Sequence, residues 1–231
     1  MSNEKEIKLD LIEFIIKKKG LLFGNFELKS KRISPYFFNL ANIIIDGEGI
    51  SKISKVYAEY LYKEIGVDNF DFIFGPAYKG IPLSAAISLQ LKNSYNINKR
   101  WGYDRKEPKN YGDTKEKWLV GDFHDNDKII MVDDVVTTGL TKIEAREKIK
   151  NYSKTVNLQF TGVLILLDRQ EKNINGKLVS EYLKDFKLPL YSILKINNVF
   201  NLLRNHKING NIIIDSEKYE KFKTYFKKYG I

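Results

Sequence analysis

Three short and largely apolar runs, at residues 71–74, 129–132 and 161–167, most constrain what this chain can fold into. Such runs are typical of strands that are covered on both faces, because polar residues do not alternate with apolar ones. Segments with helical spacing precede and separate these runs, such as residues 48–65 before the first run and the stretch after Gly80. This alternation predicts an α/β fold with a mostly parallel sheet flanked by helices.

Residues 128–142 combine an apolar strand, two adjacent carboxylates, a hydroxyl-rich turn and a helix start near Leu140. We expect Asp133 and Asp134 at the edge of the sheet, where the strand should emerge, and not in a core. Residues 137–141 supply threonine hydroxyls and backbone N–H groups at the positive end of a helix. That pattern predicts a phosphate site. Further along the helix, Glu144 and Lys148 are spaced for an ion pair.

A second strand, turn and helix unit covers residues 71–86. Gly75 and Gly80 allow a close backbone approach to a ligand or a positive φ angle, and Lys79 places a cation on the turn. A plain connection between strand and helix would use the same glycines. The motif therefore leaves an anion site open without requiring one.

Residues 101–117 match no regular period and carry Pro108 and two glycines. Loops of this length inside a domain are usually functional lids or disordered segments. The basic residues Arg105, Lys106 and Lys109 could close over a polyanion, and a solvated loop is the alternative.

Composition limits the partners and the compartment. Lysine and arginine exceed aspartate and glutamate by 39 − 29 = +10, which permits nucleic acid, anionic lipid or small anionic substrates. The chain has no cysteine, which excludes disulfides, thiolate metal sites and a cysteine nucleophile. The polar first ten residues and the lack of a long apolar run predict a soluble, cytoplasmic protein with no membrane partner.

The expected organisation is a single domain over residues 1–231, in which residues 1–45 form a helix and a small hood. The carboxyl ends of at least four strands should then meet at one edge of the sheet, at residues 75–80, at the Arg105 loop, at 133–141 and at Asp168-Arg169. Carboxylates, a phosphate cradle and several cations would converge there. That combination suits a sugar phosphate with a pyrophosphate-like group and a divalent metal.

Six motifs carry a resemblance to a known family. The sequence Val132-Asp-Asp-Val-Val-Thr-Thr-Gly139 resembles the phosphoribosyl diphosphate signature of type I phosphoribosyltransferases. Motifs at 26–30, 34–39, 74–82, 105–112 and 167–171 narrow the resemblance to the orotate phosphoribosyltransferase family. They occur in the family's order and cover about residues 20–171.

The resemblance implies a magnesium-dependent transfer of the ribosyl 5-phosphate group from phosphoribosyl diphosphate to orotate. The products would be orotidine 5'-monophosphate and pyrophosphate, in pyrimidine biosynthesis. It also implies a homodimer in which a mobile loop, at about residues 104–117, is shared across the interface. No nucleic-acid partner is then expected.

The same resemblance assigns residues to roles. Asp133 and Asp134 would face the ribose hydroxyls and the magnesium environment, and Lys106 would join them in catalysis, with Lys106 and Asp134 both exposed at the site. Residues 137–141 would hold the 5-phosphate. The pyrophosphate would meet Lys79, Arg105, Lys106 and Lys109, and the orotate side would be formed by Lys29, Phe37, Phe38 and Arg169. The residues implied in substrate binding are Lys29, Phe37, Phe38, Tyr78, Lys79, Arg105, Lys106, Lys109, Tyr111, Asp133, Asp134, Val135, Val136, Thr137, Thr138, Gly139, Leu140, Thr141 and Arg169.

Several positions depart from the common bacterial pattern. Tyr111 replaces a loop histidine, Lys31 a frequent glycine and Leu140 a small residue, and residues 115–117 replace a glycine-rich stretch. A histidine's role is therefore not carried over to Tyr111. Leu140 should leave the backbone cradle intact, since its side chain alone differs.

Three other functions remain open on the sequence. A type I transferase for a purine base would share the signature. A catalytically silent sensor of phosphoribosyl diphosphate would bind nucleic acid through the basic surface. A phospho-accepting signalling domain would use the acidic pair but would leave the cradle and the basic loop unexplained.

Overall fold

A six-stranded sheet organises the computed structural model, which describes residues 2–28, 30–108, 118–152, 156–173 and 175–231. Its strand order is β5-β4-β3-β6-β7-β8. All neighbours pair in parallel except β5, which is antiparallel to β4. The strands are β3 (Phe72–Phe74), β4 (Arg100–Asp104), β5 (Leu119–Val120), β6 (Lys128–Val135), β7 (Gln159–Asp168) and β8 (Leu190–Lys195). The predicted mostly parallel sheet is confirmed.

Both faces of the sheet are covered, which explains the apolar runs. Ile130 and Val132 of β6 point into one core cluster, and Ile129 and Met131 point into the other. All four side chains are fully buried. Successive residues of a strand face opposite sides, so a strand buried on both sides needs apolar residues at every position.

Helices pack against each face. α3 (Gly47–Tyr60) and α4 (Gly80–Tyr95) contribute to the first cluster, and α5 (Leu140–Tyr152) and α6 (Val179–Asp185) to the second. The first cluster also takes in α1 (Ser2–Lys17), α2 (Leu40–Ile43), α7 (Ile196–Leu203) and α8 (Ser216–Tyr229). A π-helical turn (Leu61–Ile65) and a 3₁₀ turn (Val67–Asn69) follow α3, and β9 (Lys207–Ile208) pairs with β10 (Asn211–Ile212).

The two extended pieces expected near the N-terminus form an antiparallel hairpin of β1 (Leu21–Glu27) and β2 (Ile33–Phe38). Tyr36 of this hairpin is fully buried and lies 5.9 Å, centroid to centroid, from Phe200 of α7. Phe200 in turn stacks on Phe222 of α8 at 3.7 Å. The hairpin is thus attached to the body through the last two helices.

The expectation that residues 101–117 lack regular structure is wrong for its first part. Residues up to Asp104 form the strand β4, which pairs with β3 and β5. Its buried positions are Gly102 and Asp104, so no apolar residue marks the inward face. Gly102 is needed there, because a Cβ atom would lie 2.1 Å from the carbonyl oxygen of Val120.

Within the described residues, none of the helices combines the length and the apolar character that crossing a membrane requires.

Candidate active site

Four chain segments meet at the carboxyl edge of the sheet. Because β4, β3, β6 and β7 are parallel neighbours, the residues that follow them lie side by side. These residues begin at Arg105, Gly75, Val136 and Arg169. The convergence predicted from the sequence is therefore confirmed.

The acidic pair belongs to β6 and does not follow it. The strand continues to Val135, and only 4% of the Asp134 surface is exposed, so the expectation that Asp134 is exposed is wrong. The Asp134 carboxylate pairs with the Lys79 ammonium, and the Asp133 carboxylate pairs with Lys142. Each carboxylate thus has its own cation, as charges taken out of water require.

Burial dominates the electrostatics of Asp134. Desolvation raises the pKa of this carboxyl group above its usual value, and the neighbouring Asp133 charge raises the pKa further. The Lys79 ammonium opposes both effects. The ionised form of Asp134 therefore depends on Lys79, whose side chain is 43% exposed and within reach of a ligand.

The turn between β6 and α5 is where the sequence predicts a phosphate site. Thr137 is exposed, Thr138 is half-buried, and Gly139 has a φ of +82°, a left-handed conformation that favours glycine. The helix begins at Leu140, whose side chain is 47% exposed. The Leu140 N–H donates to the Thr138 hydroxyl oxygen at 3.4 Å. Val136 is buried, and Val135 and Thr141 flank the turn.

The turn between β3 and α4 presents Tyr78 and Lys79. Tyr78 is largely exposed, and the Ala77–Tyr78 peptide bond is cis. Neither glycine of the turn has the positive φ angle that was one of the two roles suggested by the sequence. A Cβ atom on Gly75 would lie 1.9 Å from the carbonyl oxygen of Gly80, so the two ends of the turn pack on each other.

The basic loop is described at its two ends. Arg105 is half-buried, Lys106 is exposed, and the Arg105 N–H donates to the Trp118 carbonyl at 2.7 Å. Lys109 and Tyr111 lie outside the described residues, and so does Lys29 of the hairpin turn.

The aromatic pair of the hairpin is divided between two faces of β2. Phe37 is exposed and lies 5.6 Å from the Phe26 ring, whereas Phe38 is buried in the core. Adjacent strand residues point in opposite directions, so the two rings do not share one surface. Phe37 is the ring of the pair that a ligand can reach.

Arg169 is buried at the end of β7 and is not a surface residue. Its Nε and Nη2 groups donate to Glu171 Oε1 at 3.0 and 2.8 Å, and the guanidinium lies 4.8 Å from the Tyr36 ring centroid. Tyr36 and Tyr225 donate their hydroxyl hydrogens to the same Glu171 oxygen. The network joins the hairpin, β7 and α8.

Lys142 was missed by the sequence reasoning. It is 4% exposed and lies in the first turn of α5, where the positive helix end disfavours a cation. A lysine at that unfavourable position was the available signal for a nearby carboxylate. Glu171 carried no comparable signal, because its partners are distant in sequence.

A mostly parallel sheet flanked by helices, with an acidic pair and a threonine-rich turn at its carboxyl edge, is the type I phosphoribosyltransferase fold. Relatives match the sequence along nearly the whole chain. An orotate phosphoribosyltransferase of Clostridium acetobutylicum is 36% identical over 228 residues, which are 98% of this chain and 99% of the relative. One of Acinetobacter baumannii is 36% identical over 222 residues, 95% and 94% of the two chains. The chain belongs to the orotate phosphoribosyltransferase family.

A solved structure agrees with these relatives. The crystal structure of the orotate phosphoribosyltransferase of Francisella tularensis has 36% identity and a TM-score of 0.77, and it covers 96% of this chain and 99% of that one. No protein-family model matches the chain.

Proposed function

We propose that the chain transfers the ribosyl 5-phosphate group of phosphoribosyl diphosphate to orotate, giving orotidine 5'-monophosphate and pyrophosphate in pyrimidine biosynthesis. One observation carries the proposal beyond family membership. The acidic pair, the Lys79 turn, the anion cradle and the base of the basic loop lie together at one edge of the sheet. The family match favours orotate over a purine base.

We assign the 5-phosphate to the cradle at residues 137–141. Backbone N–H groups at the start of α5 and the hydroxyls of Thr137, Thr138 and Thr141 would donate to the phosphate oxygens. Leu140 should leave this contact open, since the residue is 47% exposed and differs from the usual small residue in its side chain alone.

Asp133 and Asp134 are assigned to the ribose hydroxyls. An ionised carboxylate has about four acceptor sites, so each can keep its lysine and still accept from a hydroxyl. Cleavage of the bond to pyrophosphate leaves positive charge on the sugar, and two fixed carboxylates stabilise that charge.

The leaving pyrophosphate gains negative charge as the bond breaks. Lys79, Arg105 and Lys106 are the described cations at that end of the site, and Lys109 is assigned there from the resemblance. Cations fixed before the reaction lower the barrier without further reorganisation. Orotate supplies its own nucleophilic nitrogen, so the chain needs no nucleophile.

The residues present fit magnesium. Over the described ranges, no group of three or more histidine or acidic side chains could form an all-protein cage, and two neighbouring carboxylates are present. Magnesium is typically held by one or two carboxylates with substrate phosphates and water. When bound, it would neutralise charge on the phosphates.

The orotate side is assigned to the hairpin and to Arg169, together with Lys29. Phe37 offers its ring, and Phe38 supports the hairpin from the core. Arg169 uses Nε and Nη2 on Glu171, so Nη1 is the group we assign to the polar edge of orotate. Arginine has five donors, which allows both contacts.

Assembly and location complete the proposal. A homodimer whose basic loop reaches the partner's site would bring Arg105, Lys106 and Lys109 to the pyrophosphate. A cytoplasmic location suits two strongly charged substrates, because charged groups do not enter a bilayer without large cost.

The test follows the absorbance of orotate with phosphoribosyl diphosphate and magnesium. We expect loss of orotate absorbance with the wild type and a rate at least 10²-fold lower with Lys106→Ala, of the order found for single charge-stabilising groups. Lys150→Ala, an exposed lysine of α5, should behave as the wild type. Turnover of adenine or hypoxanthine without turnover of orotate would overturn the proposal.

A further inference from the structure

A buried ion pair lies beside the proposed site without belonging to it. Asp104 ends β4 and is 6% exposed. Its Oδ1 atom accepts from the Ala77 N–H at 2.8 Å, and its Oδ2 atom lies 3.0 Å from the Lys148 ammonium. The pair therefore joins α5, the end of β4 and the turn that carries Lys79.

Lys148 also touches both ends of the basic loop. Its ammonium donates to the Arg105 carbonyl, and it lies 4.9 Å from the centroid of the Trp118 ring. Arg105 and Trp118 are themselves joined by a backbone hydrogen bond of 2.7 Å. The helical spacing suggested Glu144 as the partner, but Lys148 turns away from it to Asp104.

The contacts of Lys148 and Asp104 are largely shielded from water. The Lys148 side chain is 23% exposed and the Asp104 side chain 8%, so water replaces these contacts poorly if one partner is lost. A lysine ammonium has three donors. Here they serve two acceptors and one aromatic face, which fixes the ammonium of α5 between the end of β4 and Trp118.

We propose that Lys148 is a positioning residue for pyrophosphate recognition. Its contact with Asp104 fixes the turn that carries Lys79, and its contact with the Arg105 carbonyl fixes the start of the basic loop, which carries Arg105 and Lys106. Lys148 thereby keeps these two segments at a fixed separation. The two sets of cations then reach one pyrophosphate group together. This inference rests on the proposed function, and it predicts an effect on phosphoribosyl diphosphate that orotate does not share.

The kinetic test compares Lys148→Ala with Lys150→Ala, its matched control on the exposed side of α5. Lys148→Ala should raise the KM for phosphoribosyl diphosphate about tenfold and leave the KM for orotate within about twofold. Lys148→Arg should recover part of the loss, since a guanidinium can donate to both Asp104 and the Arg105 carbonyl. A fall in kcat with both KM values unchanged would overturn the inference, because that is the result of a merely structural role.

A binding test does not depend on turnover. The chain has two tryptophans, Trp101 and Trp118, so Trp101→Phe leaves Trp118 beside Lys148 as the sole reporter. Titration of its fluorescence with phosphoribosyl diphosphate should give a Kd about tenfold weaker when Lys148→Ala is added. An unchanged Kd would overturn the inference.

A second substitution covers the case in which Lys148→Ala does not fold. Asp104→Asn keeps an acceptor for Ala77 and removes the charge that holds Lys148. It should weaken phosphoribosyl diphosphate binding about threefold, and wild-type binding by folded Asp104→Asn would count against the proposal. If the wild type neither binds phosphoribosyl diphosphate nor consumes orotate, the proposed function itself fails. Wild-type activity with undiminished binding by the variants refutes the positioning role alone.

Discussion

At the scale of single residues, the acidic pair is balanced by two lysines from different turns. Lys79 comes from the turn after β3, and Lys142 from the first turn of α5. Lys79 is 43% exposed and can also meet a phosphate, whereas Lys142 is buried and has Asp133 as its partner. We therefore infer different roles for the two lysines. Lys79 can also bind substrate, whereas Lys142 holds the Asp133 carboxylate in place.

Replacement of the buried lysine should expose this difference. Lys142→Met leaves Asp133 without its cation and should lower the free energy of unfolding by about 3 kcal/mol, measured by chemical denaturation. The double variant Lys142→Met with Asp133→Asn should recover most of that stability, because no lone charge remains. It should not recover orotate turnover, because Asp133 is assigned to the ribose hydroxyls.

Two outcomes would contradict this account of Lys142. One is a double variant that is no more stable than Lys142→Met. The other is a double variant with wild-type turnover. Lys150→Met, on the exposed side of the same helix, is the control and should change stability by less than about 0.5 kcal/mol.

At the scale of elements, Glu171 ties α8 to the hairpin that is proposed to cover orotate. Tyr36 of β2 and Tyr225 of α8 donate to one of its oxygens at 2.9 and 3.0 Å, and Arg169 donates to the same oxygen. Three elements that are distant in sequence thus meet at one carboxylate. The C-terminal helix is therefore part of the support of the proposed base site.

The contact between Tyr225 and Glu171 should affect the pH dependence of stability above pH 10. Burial, followed by the Glu171 charge, raises the pKa of Tyr225 to about 12 from an ordinary value of 10.0. Below pH 10 this tyrosine is neutral in both the folded and the unfolded chain, and its contribution to stability is complete. Between pH 10 and 12 the unfolded chain loses the proton first, so stability falls as pH rises.

Tyr225→Phe should therefore lose less stability between pH 10 and 12 than the wild type, as measured by denaturation at each pH. At pH 7 it should be less stable by about 1.5 kcal/mol, since a hydrogen bond to a charged group is lost. Tyr229→Phe, one turn further along α8, should match the wild type at pH 7. An equally steep alkaline decline in Tyr225→Phe would contradict the assignment.

The elements also show which parts of this fold the sequence could predict. β6, the Gly139 turn and the start of α5 follow from local patterns, namely an apolar run, hydroxyl-rich spacing and a helix start. The strand β4 could not be predicted from a local pattern, because its buried face consists of Gly102 and Asp104. The packing of these two residues depends on β5 and α5, which are distant in sequence. The division of Phe37 from Phe38 follows from the strand period once β2 is placed.

In the site as well, the sequence predicts the features that depend on neighbouring residues and not those that depend on distant ones. The motifs that contain Asp133, Asp134 and Lys79 can be recognised in the sequence. Their burial and pairing are not, since Lys142 and Lys79 reach them from separate turns. The depth of Asp134 follows from the extension of β6 to Val135, which two adjacent charges would not suggest.

At the scale of the whole molecule, the proposed dimer makes a quantitative prediction. Lys106→Ala removes a cation that the loop would deliver to the partner's site, and Lys79→Ala removes one from the chain's own site. Each variant alone should be nearly inactive. A hybrid dimer of the two contains one intact site, so an equal mixture after subunit exchange should regain about a quarter of wild-type activity. A mixture no more active than its components would contradict loop sharing.

The charge of +10 has a limited meaning at this scale. Several lysines of α8 pair with acidic residues of the same helix, such as Lys221 with Glu217 at 2.7 Å and Lys223 with Glu220 at 2.8 Å. Exposed pairs of this kind contribute little to stability. The cations that bear on function are those gathered at the sheet edge.

The central claim is that this sheet edge joins a ribosyl phosphate to orotate. The direct measurement incubates the protein with orotate, phosphoribosyl diphosphate and magnesium, separates the products by chromatography and quantifies nucleotide and pyrophosphate. We predict orotidine 5'-monophosphate and pyrophosphate in equal amounts, both lost in Lys106→Ala. Pyrophosphate release without nucleotide, or nucleotide from a purine base but none from orotate, would contradict the account.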